Sequence, residues 1–235
     1  MALLDDAIEA SGGMARWNSL KQFTLQLSIE GSLCSPSGQS GRFKDLVAEG
    51  STQTQSVRFT SFTGTARVDT YQPDSVTIES LDGQVLRTWH NPQLAFPDDA
   101  TDPLRHDLRL VFFFGLSIWN YLTTPFLLAR PDVTVVELPP WTEQGQVWRP
   151  LRAQFPPDIV TYSREQTFYF DDKGLQRRTD HDFLGSRVAH YSWAHQTFCD
   201  IVVPTLRRSH MLRHNGTAIT KPALIDVEIF DATFE

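Results

Sequence analysis

Residues 164–185 read REQTFYFDDKGLQRRTDHDFLG, and they decide the fold class. Asp171-Asp172-Lys173-Gly174 is a hairpin turn, with glycine where the backbone needs a positive φ. Thr167-Phe168-Tyr169-Phe170 leads in as a strand (165–171), and a second strand follows over 174–183. Further strands are predicted at 187–197, 199–210 and 223–234, with no helical pattern between them. Strands that follow one another through turns build an antiparallel sheet.

The same pattern holds upstream. From Lys21 to Gly31, Phe23, Leu25, Leu27 and Ile29 share one face, with Gln22, Thr24, Gln26 and Ser28 opposite. Period two over ten residues is a half-buried strand. Strands are expected again at 55–62, 65–71, 75–80 and 84–90, the last two joined by Leu81-Asp82-Gly83, and then at 133–138, 145–154 and 158–162. Residues 3–20 read as helix broken at Ser11-Gly12-Gly13. Residues 34–54, rich in Ser and Gly, read as a loop, and so do residues 91–100 (NPQLAFPDDA).

One segment breaks the β rhythm. Leu110–Leu122 reads LVFFFGLSIWNYL, inside a helix that starts near Asp102 with Pro103 in its first turn. Thirteen residues are too few to span a bilayer, and an all-round apolar helix belongs inside a protein. Thr124 and Pro125 read as the N-cap and first residue of a second short helix. The expected architecture is α+β and mainly antiparallel: one domain over residues 1–235, a long curved meander with an apolar helical hairpin on its concave face.

Charge narrows the partners. The net charge is −7, and the densest basic clusters are only Arg177-Arg178 and Arg207-Arg208, read as solvated strand faces or local ion pairs. That balance speaks against nucleic acid and against anionic lipid surfaces. The N-terminus, MALLDDAIEASGG, lacks the basic region of a secretion signal, so a cytoplasmic location is expected. Cys34 and Cys199 are then expected as free thiols, a disulfide between them being the alternative. Asn215-Gly216 reads as a turn. Six Trp and sixteen Phe supply core packing and the lining of a pocket.

The order of elements, an N-terminal helix, antiparallel strands and a helical insertion midway, resembles the half-barrel of the LolA/LolB-like lipoprotein-carrier superfamily. The segments WNYLTTPFLLARPDV (119–133), WRPLRAQFPPDI (148–159), REQTFYFDDKGLQRRTDHDFLG (164–185) and AHYSWAHQTFCDIVVPTLRR (189–208) resemble a bacterial subgroup of it to which no activity is assigned. The resemblance implies about eleven strands and a concave apolar face that holds acyl chains. The chain departs from the carriers in lacking a lipobox cysteine and in its unusually aromatic helix. A pigment-pathway enzyme uses the same half-barrel for an indole rearrangement, so the fold also hosts enzymes.

No P-loop, nucleophile elbow, dinucleotide fingerprint or zinc pattern occurs, so no cofactor and no metal is indicated. His181, His190 and His195 lie on neighbouring strands, and His210 and His214 are four apart, but this spacing is too loose to specify a metal. Two functions are weighed. The first is binding of a hydrophobic small molecule or acyl chain, with Trp89, Phe113, Phe114, Trp119, Tyr121, Phe126 and Trp193 as lining residues. The alternative is a cofactor-free isomerase, cyclase or lyase of secondary metabolism. There His190 or Tyr191 would carry the proton, Asp180 would orient it and Arg178 would hold an anionic group. The bland reading of Asp180 is an ion pair with Arg178 or Arg208 on the convex face. Asn120, polar within the greasy helix, is expected to bond the Thr-Thr-Pro turn or a ligand. A third option is a structural module, compatible with a homo-oligomer, whose helix would be exposed in the monomer.

Overall fold

The structure is a computed structural model that describes residues 2–34, 43–60, 66–92 and 103–235, with side chains in the long helix from His106 onward. The chain opens with helices α1 (Ala2–Ala10) and α2 (Met14–Ser19), separated at Gly12 and Gly13. Six strands follow: β1 (Gln22–Glu30), β2 (Phe43–Ser51), β3 (Val57–Thr60), β4 (Arg67–Gln72), β5 (Ser75–Ser80) and β6 (Val85–His90). Helix α3 (Pro103–Thr123) and one 3-10 turn (Phe126–Ala129) come next. Then come β7 (Thr134–Glu137), β8 (Trp141–Glu143), β9 (Gln146–Gln154), β10 (Glu165–Phe170), β11 (Gln176–Phe183), β12 (Ser186–Phe198), β13 (Ile201–Met211) and β14 (Ile225–Phe234).

These strands form one curved antiparallel sheet in the order β6-β5-β4-β3-β2-β1-β14-β13-β12-β11-β10-β9-β7, with β8 paired to β9. Among the described residues there are fourteen strands where about eleven were expected. First and last strands pair at the centre, and β6 and β7 are unjoined edges, so the sheet is a half-barrel. The chain must return from one edge to the other, and α3 makes that crossing. Its twenty-one residues are about 32 Å long at 1.5 Å per residue. The helix lies over the concave face and packs chiefly against β3, β4, β5 and β6. Leu108, Val111, Phe112, Phe114, Leu116 and Trp119 are buried there with Phe43, Phe59, Tyr71 and Ile78. This helix is covered, not an exposed face.

Local chemistry explains the turns. Asp171 Oδ1 accepts from the amides of Lys173 (3.0 Å) and Leu175 (2.9 Å), and Gly174 takes φ 79°. Leu184 and Gly185, both at positive φ, close the β11–β12 hairpin in two residues.

Three expectations are corrected. Of residues 34–54, expected as a loop, 35–42 lie outside the described residues and Phe43–Ser51 form β2. Its inward residues Phe43 and Leu46 are three apart because Asp45 sits at φ 53° in a bulge, which breaks the period-two signal. Residues 158–162 do not form a strand. The Gln55 side chain satisfies Val160 instead, donating to its carbonyl and accepting from its amide, both at 2.8 Å. The second helix is a single 3-10 turn. Thr124 Oγ1 donates back to the Asn120 carbonyl (2.9 Å), closing α3 rather than starting a new helix. Of the proline-bounded loop 91–100, residues 93–100 lie outside the described residues.

Candidate functional site in the seam between the central helix and the late strands

Strand register assigns the faces. Inward from the concave side point Thr179, His181 and Phe183 of β11, Val188, His190 and Ser192 of β12, and Arg207 and Ser209 of β13. His190 lies opposite Thr179 on one neighbour and Ser209 on the other, and Ser192 lies opposite Arg207. Because α3 leans toward β3–β6, a seam runs between it and β10–β13. Aromatic rings bridge the seam. Tyr121 stacks on His190 with centroids 4.1 Å apart, and Phe113 meets Phe183 at 5.4 Å. Tyr162, from the β9–β10 connection, stacks on His181 at 4.9 Å.

Two small cavities remain. One, of about 20 Å³, is lined by Asn120, Tyr121, Tyr162, Gln176, His181 and His190, among others. The other, of about 10 Å³, lies among Leu33, Phe113, Phe183, Val188, Leu224 and Ile225, with Tyr121, Tyr162, His181 and Ser209 on its polar side. Each has room for about one water. The seam is therefore closed, polar along one side and apolar along the other. At the C-terminal end of α3 a more open groove of about 460 Å³ is lined by Trp17, Trp119, Phe126, Leu127 and Arg130, among others.

The polar side is under-satisfied. Ser117 Oγ donates to the Phe113 carbonyl (2.6 Å) and meets the Tyr162 hydroxyl, and His190 Nδ1 meets Ser209 Oγ at 2.7 Å. Yet His181 Nδ1, His190 Nε2 and Arg207 Nε are buried without a hydrogen-bond partner. Buried polar groups are normally paired, so such a concentration asks for a ligand or for water. Burial holds both imidazoles neutral, His181 down at about 4 and His190 well below its ordinary value, with Arg207 adding to the latter. Burial likewise raises Tyr121 and Tyr162 and pulls Arg207 down to about 10. At neutral pH the guanidinium still carries its charge.

The convex face carries a different cluster. Arg178, 1% exposed, donates to both oxygens of Asp180 and to Glu143 (2.6 Å). Tyr169 donates to Asp180 (3.0 Å) and Tyr191 to Glu143 (2.6 Å). The guanidinium lies 5.2–5.5 Å from the ring centroids of Trp141, Tyr169 and Tyr191. A cavity of about 550 Å³ opens above, lined by Trp141, Glu143, Trp148, Tyr191, Trp193 and His210, among others.

The four residues singled out for chemistry are thus divided. Arg178, Asp180 and Tyr191 meet on the convex face, already committed to one another and to Glu143. His190 points the other way, into the seam. Of the residues singled out for ligand contact, Phe113 and Tyr121 line the seam, and Trp119 and Phe126 line the groove. Phe114 packs on Phe43, and Trp89 packs on Phe112 at the edge of the core. Trp193 lies on the convex face, 40% exposed and stacked on Tyr191. The Asn120 side chain donates to the Leu116 carbonyl within α3 (2.8 Å), and only its backbone carbonyl meets the turn, accepting from Thr124 Oγ1. His195 reaches the Gln176 carbonyl (3.0 Å), and His214 is exposed. Among the described residues no three His, Cys, Asp or Glu side chains gather as a metal site. Cys34 is buried and Cys199 exposed, both as thiols. No described helix is long and apolar enough to cross a membrane.

Arg207 is the residue that sequence reasoning missed. Read with Arg208 as a solvated pair, it is instead 1% exposed, while Arg208 pairs with Asp226 at the surface. Alternation held the signal: Ile201, Val203, Thr205, Arg207 and Ser209 share one face, and the first two are apolar.

No family model and no curated protein matches the sequence. Solved structures do. One is a LolA superfamily protein from Nitrosomonas europaea, at TM-score 0.55 and 9% identity, the match covering 100% of this chain and 92% of that one. Another is described as an outer membrane lipoprotein-sorting protein domain from Vibrio parahaemolyticus, at TM-score 0.53 and 12% identity over 99% and 92%. At these identities the likeness concerns the backbone alone. The chain has the LolA-like fold.

Proposed function

We propose that the chain binds a hydrophobic small molecule or acyl chain in the seam between α3 and strands β10–β13. The observation that carries this reading is the two-sided seam. Leu33, Phe113, Phe183, Val188, Leu224 and Ile225 form an apolar track along the smaller cavity beside orphaned polar atoms, while α3 packs chiefly against β3–β6 on its other side. A structural core would close such a gap with well-partnered or purely apolar side chains. The fold supports the reading, since one similar structure carries a lipoprotein-sorting description. The cavities are too small for a chain as they stand, so binding moves the Tyr121 and Tyr162 rings or the helix that carries Tyr121. Hydrophobic burial supplies the driving force, about 0.8 kcal/mol per buried methylene.

The test is equilibrium titration with methyl dodecanoate, a neutral twelve-carbon acyl chain, followed by tryptophan and tyrosine emission and by native mass spectrometry. Saturable binding of one molecule per chain is the expected result. Absence of saturable binding by both readouts overturns the reading.

A further inference from the structure

Arg178 and Arg207 are both almost completely buried. Their surroundings differ. Arg178 has Asp180 and Glu143. A third buried arginine, Arg67, has Asp69 and Asp107, both at 2.9 Å. Among the described residues no carboxylate pairs with Arg207. One of its Nη atoms donates to the Tyr121 carbonyl (3.1 Å), the other reaches Ser192 Oγ at 3.4 Å, and Nε donates to nothing. Tyr121 also lies beneath the guanidinium, 4.8 Å from the ring centroid.

The Tyr121 carbonyl belongs to the last turn of α3, so the helix offers about half a negative charge. That offsets only part of a buried unit charge, and burying an unpaired ion is among the costliest arrangements a fold can hold. The neighbours supply no counter-charge. His181 and His190 are neutral, and Ser192 and Ser209 are uncharged. Ser209 can donate its hydroxyl proton to His190 Nδ1, which leaves the imidazole proton on Nε2. Nε2 is then a second unfilled donor on the same face, one cross-strand row from Arg207.

We infer that Arg207, with Ser192 and His190 beside it and Tyr121 beneath it, is the seat for the carboxylate head of an anionic amphiphile whose chain follows the apolar track. The inference rests on the seam reading and deepens it by naming the ligand class. A carboxylate suits the site because it can take the unfilled Nε–H together with the second proton of an Nη that already holds the Tyr121 carbonyl or Ser192. It also cancels the charge of Arg207, which no carboxylate among the described residues pairs. Arg207 borders neither small cavity, but Tyr121 and Ser209, which adjoin it, border the smaller one, so a head reaches Arg207 from the apolar track once the Tyr121 ring moves.

The experiment compares dodecanoate, methyl dodecanoate and acetate on the full chain near pH 7.5, with wild type, Arg207→Met and Arg207→Lys. In wild type the acid is expected to bind about tenfold or more tightly than the ester, the worth of a charge-assisted hydrogen-bonded pair. Arg207→Met is expected to lose that preference while still binding the ester. Arg207→Lys, which keeps the charge without the guanidinium's paired donors, is expected to retain part of it. If Met at 207 does not fold, the Lys variant and the wild-type ratio still decide the matter. Equal binding of acid and ester to wild type overturns the assignment of Arg207 and leaves the seam reading standing. Failure of both to bind overturns the seam itself. Acetate binding as tightly as dodecanoate makes the seat a free-anion site and overturns the amphiphile.

Discussion

Gly115 of α3 sits directly over Tyr71 of β4, so that a Cβ at position 115 would lie within 3.0 Å of the Tyr71 Cβ, Cγ and Cδ1 atoms. Tyr71 is fully buried and cannot swing away. This contact keys the helix onto the N-terminal half of the sheet and leaves the seam on the other side. Gly115→Ala sets two effects against each other. Helix propensity favours Ala by about 1 kcal/mol, while overpacking a tight contact costs about 1–3 kcal/mol and more where backbone must shift. Overpacking is expected to win. The urea midpoint should fall, and near-ultraviolet circular dichroism should change as α3 is displaced. An unchanged or higher midpoint would mean that α3 is not seated on Tyr71.

Asp180→Ala removes a carboxylate that takes two donors from a fully buried guanidinium and one from Tyr169. Breaking a buried pair from one side costs about 3–5 kcal/mol, because the remaining charge is stranded. Glu143 still faces Arg178. A loss near the lower end of that range is therefore expected in chemical denaturation. Replacing Arg178 by Met and Asp180 by Leu together should recover part of it. A fully stable Asp180→Ala protein would show that the convex network does not hold the late strands together.

The buried histidines fix a pH dependence. His181 has an ordinary value of 6.5 when unfolded and about 4 when folded, because burial disfavours the charged ring. Above 6.5 neither state carries the proton. Below it the unfolded chain binds a proton that the folded chain refuses, so stability falls as pH drops from about 6.5 toward 4. Between pH 7 and pH 5 His181 alone contributes a loss of ~2 kcal/mol, and His190 acts in the same direction. Denaturant midpoints at the two pH values check this. In His181→Gln the difference between them should shrink by about that amount. An undiminished difference would place the titration elsewhere.

Much of this architecture is legible in the sequence, and the failures have physical causes. The alternation of β1 and the Asp171–Gly174 turn are local signals, and both elements form as read. The apolar run 110–122 is a buried helix for the same reason. Strand β2 was hidden because a bulge at Asp45 puts its inward residues out of phase. The β8–β9 hairpin was hidden because Gln144-Gly145, both at positive φ, is a weaker turn signal than Asn-Gly. The site was less legible. Adjacent residues such as His190 and Tyr191 stand on opposite faces of one strand, so sequence proximity groups what the pleat separates. Arg207 looked like half of a surface pair until the register showed which of the two arginines faces α3.

The central claim is that a hydrophobic ligand occupies the concave seam, and hydrogen–deuterium exchange with and without saturating methyl dodecanoate tests it most directly. Ligand should slow exchange in β11–β13 and alter it in the C-terminal half of α3, around Tyr121, while β3–β6 stay unchanged. No change at the seam, or protection confined to the convex face around Trp141 and Trp193, would contradict the account.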